Sequence, residues 1–321
     1  MSSSCPGCDA SDAVCLNPGA GDEMILRPTP FLIGMPDSGV EHLRLTLDAH
    51  PEAAIPGPTF FVPAVLELRD DDPHVRERFL QILVSSLTRR DHHLSIDALW
   101  ERLDDGAPFE PGGAVRVFYR LYAARFGKQR WGDSTHRYGY HMNQIRQYLP
   151  EARFIHVIRD GRDAAVLARL SHSWQAFGDL DSHAREWRNR IETFRREALA
   201  CPEFYLEVRY EDLVSNPEPV LKEICGFLQL SYSAAMLTYH ERASQRLDEL
   251  EGIDRFGRHI PKDERVRGLH ADLLTKPPDP SQIGRWRREL EPAEIAAYQE
   301  IVGGLLQALG YPLWGEAAGA S

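Results

Sequence analysis

Two arginines three positions apart, Arg159 and Arg162 in the run Phe154–Asp163 (FIHVIRDGRD), are the residues best suited to chemistry in this chain. Each guanidinium is a planar fork of donors that matches the oxygens of a phosphate or sulfate. Phe154, Ile155, Val157 and Ile158 ahead of them read as a short buried strand, and Ala164 to Leu170 behind them restarts with helix formers. The charged turn therefore sits at a strand's carboxyl end, where ligands bind in open α/β sheets and where the next helix points its amide hydrogens. Gly161 lets the backbone come close. The alternative at this point is that Arg159, Asp160, Arg162 and Asp163 pair with one another on a solvated turn.

A second strand–turn–helix, FLIGMPDSG from Phe31 to Gly39, feeds a helix in which Val40, Leu43 and Leu47 recur at helical spacing. Its Pro-x-Ser-Gly turn resembles a phosphate-binding loop but lacks the GxxxxGK[ST] pattern of nucleotide triphosphatases. A third segment, FYLEVRYEDL from Phe204 to Leu213, ends on charge and leads into an amphipathic helix over Pro217–Leu228. Three such units predict an α/β chain, a P-loop-like three-layer fold whose central, mostly parallel sheet is flanked by helices. Between the units, Pro73–Phe126 is mostly helical by pattern, with Val75, Phe79, Ile82, Leu83 and Leu87 on one apolar face and Val115, Phe118, Tyr122 and Phe126 on another. The charged, proline-bearing stretch Arg242–Pro280 reads as a long loop or lid. Glu291–Leu309 reads as a packing helix that stops at Gly310.

Four segments in this order resemble the sulfotransferase superfamily: FLIGMPDSG with the trailing LDAHPEAAIP, GDSTHRYGYHMNQIRQYLPEARFIHVIRDGRDAAV, LEVRYEDLVSNPEPVLKEICGFL, and IGRWRRELEPAEIAAYQEIVGGLLQALGYPL. The resemblance spans residues 31 to 313. It implies a transferase that moves a sulfonate from 3′-phosphoadenosine 5′-phosphosulfate (PAPS) to a hydroxyl or amine of a small-molecule acceptor, a bacterial-type tailoring reaction. It also implies one domain over 29–315, with a helical insertion at 73–127 and a lid-like segment at 242–280, between tails at 1–28 and 316–321. Carried over residue by residue, it sets PAPS, or its product PAP, against Asp37, Ser38, Gly39, Arg159, Arg162, Tyr210, Arg285 and Trp286, with Trp286 equally readable as a core anchor.

This chain departs from the family pattern at several of those positions. The first loop usually reads PxSGTT with a cation at x, and here Asp37 stands at x and Val40-Glu41 replace the threonines. A carboxylate about 4 Å from a phosphate, at an effective dielectric near 20, is repelled by roughly 4 kcal/mol where a cation would be attracted by as much. The family's carboxylate base falls on Pro58, and its 3′-phosphate serine falls on Leu167. Where members commonly read GDKTP, Gly132-Asp133-Ser134-Thr135-His136 has lost a lysine and gained a histidine. His136, His42, Glu41 and Asp133 become the candidate bases, His136 first because a histidine titrates near neutral pH. Ser38 and Arg162 are the candidates to stabilise charge on the leaving group. The alternative is a fold remodelled for another reaction or ligand, or a relative that binds without catalysing.

Thirty-seven basic against 48 acidic residues give a net charge of −11, which argues against a nucleic-acid partner. No run approaches the ~20 apolar residues of a membrane span, and the amino terminus lacks a basic region followed by an apolar one, so a cytoplasmic location is expected. Five cysteines do not suggest a disulfide framework; Cys201 and Cys225 read as small core residues. Cys5, Cys8 and Cys15 have a metal-ligand spacing without a fourth ligand, so a flexible tail is the favoured reading and no metal is expected. A homodimer is left open.

Overall fold

The structure, a computed structural model, describes residues 26–103, 108–171, 174–255 and 258–315. The part of the chain that carries the loops holds five strands: β1 (Thr29–Gly34), β2 (Ala53–Ala54), β3 (Arg130–Trp131), β4 (Ala152–Ile158) and β5 (Tyr205–Arg209). Strands β1, β4 and β5 form a parallel sheet in the order β1-β4-β5, with Phe31 opposite Phe154 and Phe154 opposite Tyr205. Strands β2 and β3 pair in parallel. Just past β3, Asp133 bridges to β1: its amide donates to the Pro30 carbonyl at 2.9 Å and its carbonyl accepts from Leu32 at 2.8 Å. The short pair thus extends the larger sheet beyond β1, and the parallel α/β arrangement is the one read from the sequence.

Side chains alternate across this sheet as the two-residue strand period requires. Leu32, Ile155, Val157 and Val208 pack against the helices Val40–Asp48 and Pro217–Phe227 on one face. On the other face Phe31, Ile33 and Phe154 meet the helix Pro111–Ala124 and its neighbours, while Ile158 meets the helices Leu180–Ala198 and Pro292–Ala308 through Trp187 and Tyr298. The stretch 73–127 holds the helices Val75–Ser85, Ile96–Leu103 and Pro111–Ala124, with Val75, Phe79, Leu83, Val115, Phe118 and Tyr122 buried. Ile82, Leu87 and Phe126, expected on the same faces, are only half-buried.

The stretch 242–280, expected as a long loop, is built instead from short regular pieces. The helix His240–Leu247 is followed by an antiparallel pair, Ile253–Arg255 with Arg258–Ile260, and by the helices Lys262–Gly268 and Ala271–Leu274. Charge anchors it to the body: both nitrogens of the Arg265 fork meet Asp91 at 2.7 and 2.9 Å, and Arg246 meets Asp48 at 2.7 Å. Apolar periodicity is a weak signal for elements held by ion pairs, which is why the pattern missed them. Among the described residues no helix is long and apolar enough to cross a membrane. Cys5, Cys8, Cys15 and the tail 316–321 lie outside the described residues.

Candidate active site

Strand β1 ends in the loop Met35-Pro36-Asp37-Ser38-Gly39, which curls because Asp37 and Gly39 both take the left-handed conformation, at φ 64° and 102°. Glycine is required at the second of these: a Cβ on Gly39 would lie 2.2 Å from the Tyr210 ring. Arg159, at the end of β4, reaches the same place. Its Nη2 donates to the Gln282 carbonyl at 2.9 Å, and its guanidinium lies 4.2 Å from the centroid of the Tyr210 ring. Only 2% of Arg159 is exposed, and its Nε has no hydrogen-bond partner. The buried Ser38 hydroxyl has none either. Unpartnered buried donors are costly and rare, so a guanidinium nitrogen and a hydroxyl left open beside a helix amino terminus fit an anionic ligand. His42, on the first turn of that helix, packs against the rings of Tyr210 and Tyr239. Burial, helped by the Arg159 charge, lowers its pKa to about 4.

Asp37 does not present its carboxylate to the pocket Arg159 faces. Ser171 Oγ donates to its Oδ2 at 3.2 Å, its Oδ1 lies 3.5 Å from His270 Nε2, and the charge also acts on His183. The positive φ turns the side chain toward this polar cluster and the main-chain carbonyl toward Arg159 Nη1, 3.5 Å away. Asp37 thus sits among polar groups that the sequence did not single out: Ser171, His183 and His270 come from three other segments.

Several expected site residues belong to the framework. Arg162, expected at the cofactor, is fully buried; it forks onto Asp160 at 2.7 and 2.9 Å, donates to Gln299 and Pro312, and stacks 3.7 Å from the Trp286 ring. Trp286 is 1% exposed and packs as a core anchor does, and Asp163 holds its backbone amide at 2.9 Å. Arg285, likewise expected at the cofactor, forks onto Glu289 and donates to Gln282. Glu41, a candidate base, is bound by the buried Arg44.

Asp133, another candidate base, has no exposure. It accepts from Thr59 Oγ1 at 2.8 Å, Tyr119 OH at 2.7 Å and the Thr135 amide at 2.6 Å. Burial raises its pKa against the pull of those donors. It ties the loop that carries Pro58 to β3.

Next to this network lies a cavity of about 580 Å³, lined by Phe60, Thr135, Tyr138, Tyr140, His141 and Glu186 among others. Phe60 also has a positive φ, 60°, and meets His136 edge to face with centroids 6.0 Å apart. The helix Leu180–Ala198 joins cavity and loop: His183, Glu186 and Arg190 share one face, Glu186 at the cavity and Arg190 donating to the Gly34 carbonyl at 3.2 Å. Among the described residues His136 meets the cavity only through the Phe60 ring, while His42 sits with Arg159.

The model of the Sulfotransferase family matches residues 28–234, more than half of the chain. The chain belongs to the sulfotransferase family. It is a transferase of that family, whose chemistry is sulfonate transfer. It is 25% identical over 296 residues to protein-tyrosine sulfotransferase 1 of Danio rerio, covering 88% of this chain and 72% of that protein. Against the protein-tyrosine sulfotransferase of Drosophila melanogaster it is 24% identical over 294 residues, which cover 88% of this chain but only about half, 52%, of the relative. Among solved structures, the sulfotransferase domain of the Synechococcus PCC 7002 olefin synthase superposes with a TM-score of 0.53 at 22% identity, covering 89% of this sulfotransferase-family chain and 96% of that one. The corresponding domain of the curacin biosynthetic pathway gives 0.53 at 15% identity, covering 90% and 99%. These likenesses establish the fold of this family member.

Proposed function

We propose that the chain transfers a sulfonate from PAPS to a phenolic hydroxyl of a small molecule seated against Phe60, Tyr138 and Tyr140. The observation that carries the donor half is Arg159, a buried guanidinium with an open Nε beside the Ser38 hydroxyl and the amino terminus of the helix Val40–Asp48. Arg159 and Ser38 would hold the nucleotide's anionic groups, and Tyr210 keeps the guanidinium in place from below. When bound, PAPS supplies the sulfonate on an activated phosphosulfate. His136 takes the acceptor's proton, the role left open by Pro58 at the family's base position. The aromatic wall of the cavity and the tyrosine acceptor named in the two relatives support a phenol. Free, buried Cys201 and Cys225 suit a reducing compartment, and we place the reaction in the cytoplasm.

A second reading has an observation of its own. Asp37, held by Ser171 and His270, stands where the family carries Arg or Lys, which favours a relative that binds the nucleotide without transferring the sulfonate. Calorimetric titration with PAP, followed by transfer of radiolabelled sulfonate from PAPS to a panel of phenols and tyrosyl peptides, separates the two. Binding with transfer to a phenol supports the first reading, and transfer only to peptides moves the acceptor to protein tyrosine. Binding without transfer supports the second. No binding of PAP by the unmutated chain overturns both. Given an acceptor, His136→Gln should lower turnover by roughly 10²–10⁴ with folding intact, and activity within a few-fold of the parent would eliminate it as the base.

A further inference from the structure

One buried side chain of the helix Leu180–Ala198 bonds to both halves of the site. Arg190 is 6% exposed and divides its guanidinium between two partners. Its Nη1 donates to the carbonyl of Gly34, the last residue of β1, at 3.2 Å, just where the donor loop begins. Its Nε and Nη2 donate to Oε1 of Glu186 at 3.1 and 2.6 Å, and Tyr140 OH donates to the same oxygen at 3.2 Å. Glu186 and Tyr140 both line the cavity of about 580 Å³.

An ion pair four residues apart on a helix normally lies on a solvated face and contributes little. Here the carboxylate lines the cavity, its side chain 31% exposed, while the guanidinium is turned inward onto a strand end. Gly34 is itself closely packed: a Cβ there would lie 2.8 Å from Ser38 Oγ and 2.8 Å from the Val157 carbonyl. A displacement of Gly34 is therefore felt at Ser38. Three residues earlier on the helix, Trp187 Nε1 donates to the Arg159 carbonyl at 3.1 Å. The donor loop and Arg159 are thus held by the same helix that supplies a wall of the cavity, and Arg190 is the side chain that joins loop to wall.

Sulfonate transfer depends on that registration. The acceptor oxygen attacks sulfur in line as the bond from sulfur to the bridging phosphate oxygen breaks; the electron pair leaves on PAP and the acceptor's proton passes to a base. A misplacement of about 1 Å between the reacting partners costs on the order of 10²-fold in rate. We infer that Arg190 is a positioning residue of the transfer, which sets the acceptor cavity against the donor loop through Glu186 and Gly34. This role rests on the reading of the cavity as the acceptor site.

Arg190→Met keeps an unbranched stem and removes the donations to Glu186 and Gly34. The donor loop keeps the pairing of Gly34 with Val157, its packing on the Tyr210 ring and the Trp187 bond to Arg159. PAP affinity in a calorimetric titration should therefore stay within about threefold of the parent, with cooperative unfolding retained. With an acceptor taken from the panel of phenols and tyrosyl peptides, kcat per PAP-binding site should fall about 10²-fold. Loss of sulfonate from PAPS to water, which needs no seated acceptor, should change by less than about threefold. Arg190→Lys keeps the charge with one nitrogen in place of the fork; its kcat should fall at least about tenfold, and it decides the outcome if the Met variant does not fold. Arg190→Met combined with Glu186→Gln should be as slow as Arg190→Met alone, because an orphaned carboxylate is not the cause. A fall of less than about tenfold, loss of PAP binding or of hydrolysis in step with transfer, or recovery in the double variant overturns the positioning role while the functional reading stands. A parent chain that transfers to no acceptor of the panel overturns that reading and this role with it.

Discussion

The Arg159 guanidinium lies over the Tyr210 ring, 4.2 Å from its centroid, and Gly39 leaves the space that this ring occupies. One aromatic side chain thus sets the end of β4 against the first loop. Removing the guanidinium deletes a charge-assisted contact of roughly 1.5–3 kcal/mol to a bound phosphate. Arg159→Ala should weaken PAP binding more than about tenfold in a calorimetric titration, and equal affinities for the two proteins would take Arg159 out of the site.

Asp37 is the most discriminating position of the donor loop. Asp37→Arg replaces a carboxylate held by Ser171 and His270 with the cation found at this place in the family. PAPS should then bind at least about tenfold more tightly, since even a screened reversal of charge exceeds about 1.4 kcal/mol. An affinity that does not rise, measured alongside intact folding, would mean that the first loop does not contact the phosphosulfate.

Asp133 is expected to behave as a structural hub. Asp133→Ala leaves Thr59, Tyr119 and the Thr135 amide without their acceptor in a fully buried place. Stability should fall by about 3 kcal/mol or more, because each orphaned donor costs about 1–3 kcal/mol. Chemical denaturation reads this directly. A folded, fully stable variant with no activity would instead restore Asp133 as a base.

Four buried histidines make stability depend on pH. Burial is the main cause that lowers His42, His92 and His183 to about 4 and His156 to about 3. Their folded values lie below the unfolded value near 6.5. Their contribution is therefore complete above pH 6.5 and is lost as the pH falls from there toward the folded values, because the unfolded chain takes up protons that the folded one refuses. Burial raises Asp133, Asp163 and Glu211, and these work in the opposite sense. Comparing the parent with His92→Phe cancels the carboxylates: the slope of unfolding free energy against pH should be smaller in the variant by up to about 1.4 kcal/mol per unit between pH 6.5 and 4. Identical slopes would mean that His92 is protonated in the folded chain.

The three strands β1, β4 and β5 were legible in the amino-acid sequence, because an apolar, β-branched run that stops on Gly, Pro or charge reports its own conformation within a few residues. Arg159 and Ser38 were found this way, the first directly after β4 and the second in the loop that follows β1. Which of two neighbouring arginines is fully held by the framework was not legible. Arg159 precedes the helix Gly161–Leu170 and reaches Tyr210, whereas Arg162, in its first turn, is rotated onto Trp286, Gln299 and Pro312. Only tertiary structure decided that, and likewise that Asp37 turns to Ser171 and His270 and that Asp133 is sealed beneath Thr59 and Tyr119. The physical reason is range: propensity and periodicity act between near neighbours, while the partner that neutralises a buried charge is supplied by whichever distant segment packing brings against it.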